Sequence, residues 1–147
     1  MPKRVLVVED EVLIRMLAVD ILEDLGFSAD EAGTAAEALQ KLKALGADYA
    51  MILLDIGLPD RPGDDLIKEV RTFNPGIPLL VASGEAKSDL KARLDQFAPI
   101  DYLGKPYDQG RLRAALANLK VTSLKVTNLK VTNLKVTNLK VTNLKVK

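Results

Sequence analysis

Apolar positions along this chain follow two rhythms. Short runs with little polar interruption occur at Arg4-Val5-Leu6-Val7-Val8, Tyr49-Ala50-Met51-Ile52-Leu53-Leu54-Asp55 and Ile77-Pro78-Leu79-Leu80-Val81-Ala82-Ser83. Runs this short and this apolar read as strands buried on both faces, as in parallel sheets. Two weaker segments, Phe27 to Ala32 and Pro99 to Leu103, bring the strands to five. Between the strands the apolar spacing becomes helical. Val12, Leu13, Met16, Leu17, Val19, Ile21, Leu22 and Leu25 predict a first helix, with Gly26 as its C-cap. Thr34-Ala35-Ala36-Glu37 is a capping box that opens a second helix through Leu39, Leu42 and Leu45, stopped by Gly46. A third helix is predicted over 64–72, before the break at Asn74-Pro75-Gly76. A fourth is predicted over 86–97, and a fifth from Asp108 to Leu119.

Strands alternating with helices imply an α/β domain. Its sheet should be five-stranded and parallel, with right-handed crossovers and helices on both faces. Doubly wound, flavodoxin-like sheets of this size take the order 2-1-3-4-5, which makes strands 1 and 3 neighbours at the switch point. Ligands in such sheets bind in the crevice outside the carboxyl ends of the strands.

Composition narrows the chemistry. The 147 residues are 48% hydrophobic and 28% charged, which suits one globular domain. Cysteine and histidine are both absent. Disulfides, thiolate metal sites and imidazole catalysis are therefore excluded, leaving carboxylates, hydroxyls and lysines. No leader pattern or membrane-length apolar stretch is visible, so a soluble protein of the cytoplasm is expected. The net charge of +1 hides an asymmetry: all 20 acidic residues precede residue 119, whereas seven lysines lie at or after Lys120. Residues 1–118 carry a net −6, and an acidic globule of this kind is a poor nucleic-acid binder.

The polar residues that end the strands are the candidate chemistry. Glu9, Asp10 and Glu11 follow the first strand, Asp55 ends the third, Ser83 ends the fourth and Lys105 follows the fifth. Each alone has a structural role open to it, as helix-dipole partner, turn cap or solvated lysine. Together, Glu9, Asp10 and Asp55 would form a three-carboxylate cluster at one end of the sheet. Two carboxylates about 4 Å apart repel by about 4 kcal/mol at an effective dielectric of 20. Such a cluster calls for a cation, and all-oxygen ligation in a half-open site suits Mg²⁺. A carboxylate nucleophile, a hard cation, a lysine and a hydroxyl can together support in-line phosphoryl transfer.

These residues resemble a known family. Val-Val-Glu9-Asp10-Glu11, Asp55-Ile56-Gly57-Leu58-Pro59 with Gly63, Leu79-Leu80-Val81-Ala82-Ser83-Gly84-Glu85-Ala86 and Asp101-Tyr102-Leu103-Gly104-Lys105-Pro106-Tyr107 are similar to the receiver domain of bacterial two-component response regulators. The resemblance spans residues 3 to about 119. It implies that Asp55 is the phosphoacceptor, served by a histidine kinase or phosphotransfer protein. It implies Mg²⁺ held by Asp10, Asp55 and the Gly57 carbonyl, with Glu9 acting directly or through water. Ser83 and Lys105 would contact the phosphoryl group, across a cis Lys105–Pro106 bond. Tyr102 would be the aromatic switch, moving inward as Ser83 engages the phosphate. The output would be contact with a downstream target protein. A second copy could also bind through the face made by helix 4, strand 5 and helix 5. Neither membrane nor DNA is an expected partner.

Several positions depart from the family pattern. Glu9 replaces a commoner Asp, and Pro62 stands where a polar residue is frequent. Gly57 and Glu85 occupy positions that tune dephosphorylation. The small Gly57 and Gly84 should leave water access, predicting a short to moderate phosphoryl lifetime. Two rivals are a relay intermediate that passes phosphate onward and a receiver-like scaffold that is never phosphorylated. A third is a Mg²⁺ phosphatase, but such enzymes usually carry a second Asp two residues after the nucleophile, and here that residue is Gly57.

From Leu119 the chain becomes a repeat. Leu119-Lys-Val-Thr-Ser123 precedes four Leu-Lys-Val-Thr-Asn units and Leu144-Lys-Val-Lys147. A period of five scatters leucines around a helix and flips them between the faces of a strand. The unit is similar to that of pentapeptide-repeat β-solenoids, but so few units give little more than one coil. The expectation is a receiver domain over 1–119 and a flexible basic tail over 120–147, β-prone but opposed in self-association by its lysines.

Overall fold

The computed structural model of the chain describes residues 3–123. The elements alternate as β1 (Arg4–Val8), α1 (Val12–Asp24), β2 (Ser28–Ala32), α2 (Ala35–Leu45), β3 (Tyr49–Asp55), α3 (Gly63–Phe73), β4 (Leu79–Ser83), α4 (Lys87–Leu94), β5 (Ile100–Gly104) and α5 (Gln109–Asn118). All four strand pairs are parallel, and the order is β2-β1-β3-β4-β5. The expected α/β architecture and strand order are both present. The predicted fourth helix is shorter: α4 ends at Leu94, and Asp95–Phe97 tightens into a 3-10 turn. Residues 124–147, with the tail's predicted flexibility and its solenoid resemblance, lie outside the described residues.

Strand side chains alternate between two cores. Leu6, Val8, Ile52, Leu54, Leu79 and Val81 face one side, packed with α2, α3 and α4. Val5, Val7, Met51, Leu53, Leu80 and Ala82 face the other, packed with α1 and α5. This period of two, apolar on both sides, is why the strands read as unbroken apolar runs.

β2 is the exception. Its Ser-Ala-Asp-Glu-Ala sequence forms an edge strand, with Asp30 accepting from Arg4 Nη1 at 2.8 Å and from the Tyr49 hydroxyl at 2.6 Å.

The first helix differs from its periodicity. The side buried against the sheet carries Ala18, Ile21 and Leu22. Val12, Leu13, Met16 and Leu17 are 55%, 80%, 53% and 52% exposed. The helix is apolar on more than one stripe, and only one stripe can face the sheet.

Both helices on that side end in the same motif. After α1, Gly26 N–H donates to Glu23 O and Phe27 N–H to Leu22 O, with Gly26 at φ +95°. After α5, Lys120 N–H donates to Ala117 O and Val121 N–H to Leu116 O, with Lys120 at φ +60°. Each is a Schellman cap, satisfying carbonyls left over at the helix end. Val121 is buried, and Ser123 O accepts from Lys3 N–H at 3.2 Å. The chain therefore stays packed through the first repeat unit, past Leu119.

Candidate functional site

The strand ends bring the site together. In register, Val8 lies opposite Leu54, Asp55 opposite Ala82 and Ser83 opposite Gly104. Glu9, Asp55, Ser83 and Lys105 are therefore at, or one residue past, the same edge of four adjacent strands. Glu9, Asp10 and Asp55 each offer a carboxylate oxygen, and these oxygens lie within 4.8 Å of one another. Lys105 Nζ donates to Glu9 Oε1 at 3.2 Å and sits 3.4 Å from Asp55 Oδ1.

The loops fix these groups. Glu9 N–H donates to Ala32 O at 2.9 Å, and the Glu9 carboxylate accepts from Glu11 N–H at 3.1 Å. Arg15 Nη1 holds the Glu9 carbonyl at 2.7 Å while Arg15 Nε pairs with Glu31 at 3.0 Å. Gly57 N–H donates to Asp55 Oδ1 at 3.3 Å. Gly63 closes the loop: its N–H donates to Ile56 O at 2.9 Å, and a Cβ there would lie 2.7 Å from the Ile56 Cα. Only glycine fits that approach. The Lys105–Pro106 bond is cis.

Burial and crowded charge perturb the groups. Glu9 is only 4% exposed, and this burial raises its pKa. The neighbouring Asp55 charge pushes in the same direction, against the N–H of Glu11 and the ammonium of Lys105. For Lys105, burial works downward, but Glu9 and Asp55 outweigh it and its pKa is raised. Two carboxylates hold one ammonium. With Asp10 exposed on the outer side, the cluster keeps an excess of negative charge and an open face. That donor set is hard oxygen throughout and fits a Mg²⁺ ion.

Ser83 and Tyr102 have other hydrogen-bond partners. Ser83 is buried, and its Oγ accepts from Glu85 N–H at 3.0 Å. Tyr102 is already buried, 7% exposed, and its hydroxyl donates to Asp95 at 2.6 Å. The ring's burial coexists with a Ser83 engaged on its own loop, whereas the resemblance made inward movement of the ring follow Ser83.

Three further residues were not singled out from sequence. Asp60 lies in the loop after Asp55, yet its two oxygens accept from Ala35 and Ala36 N–H, each at 2.9 Å, at the start of α2. Asp95 holds Tyr102. Tyr107 lies near Glu9 and Asp55; burial, then those two charges, push its phenol up to about 12. The Lys105-Pro106-Tyr107 motif pointed to this neighbourhood without assigning Tyr107 a role. Asp60 and Asp95 left no sequence signal beyond being surface acids.

Comparison with known proteins agrees with the geometry. Residues 5–117 match the response regulator receiver domain family. The chain is 32% identical over 117 residues to the chemotaxis protein CheY of Thermotoga maritima, covering 79% of this chain and 96% of that protein. It is 40% identical over 113 residues to the KDP operon transcriptional regulatory protein KdpE of Escherichia coli, covering 76% of this chain and 48% of the other. The sensor kinase CckA of Brucella abortus is matched over only 12% of its length, at 30% identity and 78% coverage of this chain. Among solved structures, Vibrio cholerae chemotaxis protein CheY4 superposes with a TM-score of 0.74 at 26% identity, covering 81% of this chain and 99% of that one. A CheY-like receiver domain from Methylobacillus flagellatus gives 0.71 at 29% identity, with 81% and 99% covered. Among the described residues no helix is long and apolar enough to cross a membrane. The chain belongs to the response regulator receiver domain family, the signalling module of two-component systems.

Proposed function

We propose that this receiver accepts a phosphoryl group on Asp55 from a phosphohistidine of a kinase or phosphotransfer protein. The phosphorylated form then signals in the cytoplasm by protein–protein contact. The observation that carries this reading is the placement of Asp55. Its carboxylate closes the central strand, 3.4 Å from Lys105 Nζ and clustered with Glu9 and Asp10.

In the step, an Asp55 oxygen attacks phosphorus. The new P–O bond forms as the P–N bond breaks, and the imidazole keeps that bond's electron pair. The reacting phosphohistidine is protonated on its other ring nitrogen, so the histidine departs as neutral imidazole. Lys105 offsets the charge on the transferring oxygens. Glu9, Asp10, Asp55 and the Gly57 carbonyl are the groups that would hold Mg²⁺. When bound, that ion supplies charge neutralisation between the carboxylates and the phosphoryl oxygens. Ser83 must release the Glu85 N–H and turn its hydroxyl to the phosphoryl group, which adds about −1.5 to −2 charge and three acceptors. Repacking around Tyr102 then remodels the face made by α4, β5 and α5, as a shift between two packings. The chemistry is confined to the protein's own phosphorylation and dephosphorylation.

The test is incubation with acetyl phosphate and Mg²⁺, read by intact mass, followed by presentation of a phosphorylated histidine kinase. One phosphoryl group should add, and chelation of the metal or Asp55→Ala should abolish it. No gain from either donor would leave a receiver-like scaffold.

A further inference from the structure

The turn that carries Glu9 and Asp10 is held through its main chain. Glu9 N–H extends the pairing with β2 by donating to Ala32 O at 2.9 Å. The Glu9 carbonyl accepts from Arg15 Nη1 at 2.7 Å, one turn into α1. The same guanidinium donates through Nε to Glu31 Oε1 on β2 at 3.0 Å. It also lies over the turn that follows β2, where a Cβ on Gly33 would be 3.2 Å from Nη1. The Arg15 side chain is 19% exposed, so this fork is largely shielded from water, while Glu31 at 47% is its outer anchor.

The Glu9 carbonyl belongs to the peptide that joins Glu9 to Asp10. That peptide is planar, so fixing its oxygen also fixes the direction in which the Asp10 Cα leaves. Asp10 is exposed, and its carboxylate shares a cluster with Glu9 and Asp55 whose oxygens lie within 4.8 Å of one another. Lys105 pairs with Glu9 and Asp55. Mutual repulsion favours a turn that swings Asp10 outward, and the anchored peptide opposes that movement. Arg15 therefore has two effects of opposite sign on a cation at the cluster. As a nearby positive charge it disfavours the ion. As an anchor it favours the ion, by holding the ligands in place before the ion arrives.

We propose that Arg15 is a positioning residue of the cation site, and that anchoring outweighs repulsion. Its planar fork ties the Glu9–Asp10 peptide to Glu31 on the edge strand and presets Asp10 for Mg²⁺, on the reading that Glu9, Asp10 and Asp55 hold that ion. Glu31 thereby contributes to cation affinity from outside the cluster.

The test is a Mg²⁺ titration of the unphosphorylated full-length protein, followed by amide shifts. Arg15→Gln should raise the Mg²⁺ Kd about tenfold, as loss of a group that orients a ligand does. Arg15→Lys, which keeps the charge without the fork, should fall between Arg15→Gln and wild type. Glu31→Gln should raise the Kd by less. The double variant Arg15→Gln with Glu31→Gln should be no weaker than Arg15→Gln alone, because both changes break one anchor. Amide shifts outside residues 9–15 and 31–37 should match wild type before Mg²⁺ is added. Tighter binding by Arg15→Gln, an unchanged Kd, or Arg15 and Glu31 effects that simply add would overturn the proposal, leaving Arg15 a plain charge or a structural contact. Wild type that binds no Mg²⁺ would overturn it together with the reading of the cluster. No phosphoryl group takes part, so these outcomes are distinguishable from failure of Asp55 to accept phosphate.

Discussion

At the scale of single residues, Asp60 shows how the phosphoacceptor loop is held. The first N–H groups of a helix have no partner within it, and Asp60 supplies one for Ala35 and Ala36 from a loop 25 residues away. Those two donors hold its carboxyl below the ordinary range. The folded value is depressed, so the contribution to stability is present above the unfolded pKa of about 3.9. It is lost as pH falls through the lower folded value. The urea stability gap between wild type and Asp60→Asn should therefore be level from pH 5 to 7 and shrink below about pH 4. A gap that ignores pH would mean that the charge on Asp60 contributes nothing. A second residue-scale feature is empty space: beyond its chain neighbours, a Cβ built on Gly57 or Gly84 meets nothing within 4 Å. Gly57 N–H bonds the Asp55 carboxylate, so water can approach Asp55 on that side, and phosphoryl decay, followed by intact mass after donor removal, should be complete well before many hours. Gly57→Leu, whose Cβ has open space around it, should slow decay on the order of tenfold, about 1.4 kcal/mol of barrier.

Elements carry a different kind of information. The central strands β1, β3 and β4 were legible because burial on both faces leaves a nearly unbroken apolar run, and Met51 to Leu54 show it without interruption. Caps were legible where side-chain chemistry is local: Thr34 Oγ1 accepts from Glu37 N–H at 3.1 Å, and Glu37 returns to Gly33 N–H at 2.7 Å. The orientation of α1 was not legible, because Val12, Leu13, Met16 and Leu17 satisfy a helical period as well as Ala18, Ile21 and Leu22 do. The end of α5 was also hidden, since nothing in Leu119-Lys120-Val121 announces a left-handed residue. Lys120 occupies the position that glycine holds after α1. A side chain there costs about 1–2 kcal/mol, offset in part by the extra freedom glycine has when unfolded. Lys120→Gly should stabilise the protein by about 0.5–1 kcal/mol, raising Tm by a few degrees. Gly26→Ala should do the reverse, and more strongly, because the added methyl also meets Ser123. Thermal unfolding of both variants checks the pair.

Across the whole molecule, topology converts sequence distance into proximity. Glu9 and Lys105 are 96 residues apart and share a hydrogen bond only because β1 and β5 point the same way in one parallel sheet. That rule made the carboxylate cluster and Lys105 readable in advance. It says nothing about contacts between loops and helices, which is why Asp60, Asp95 and Arg93 were invisible. Arg93 is the most consequential of these. From α4 its guanidinium donates to Asp64 on α3 at 2.6 Å and to Glu85 at 3.1 Å, two residues beyond Ser83. In the proposed switch Ser83 leaves the Glu85 N–H, and Arg93 holds the carboxylate of that same residue. Under that reading the clamp favours the unphosphorylated arrangement. Its strength is bounded: these are side chains about two-fifths exposed, and such pairs contribute about 0–1 kcal/mol. Arg93→Ala should then raise the phosphorylated fraction at sub-saturating acetyl phosphate by up to about fivefold, the equivalent of 1 kcal/mol. By linkage, phosphorylation should in turn cost wild type more stability than it costs the variant, by the same factor. Intact mass gives the first quantity and urea unfolding the second. A phosphorylated fraction that is unchanged or lower in Arg93→Ala would place the clamp outside the switch.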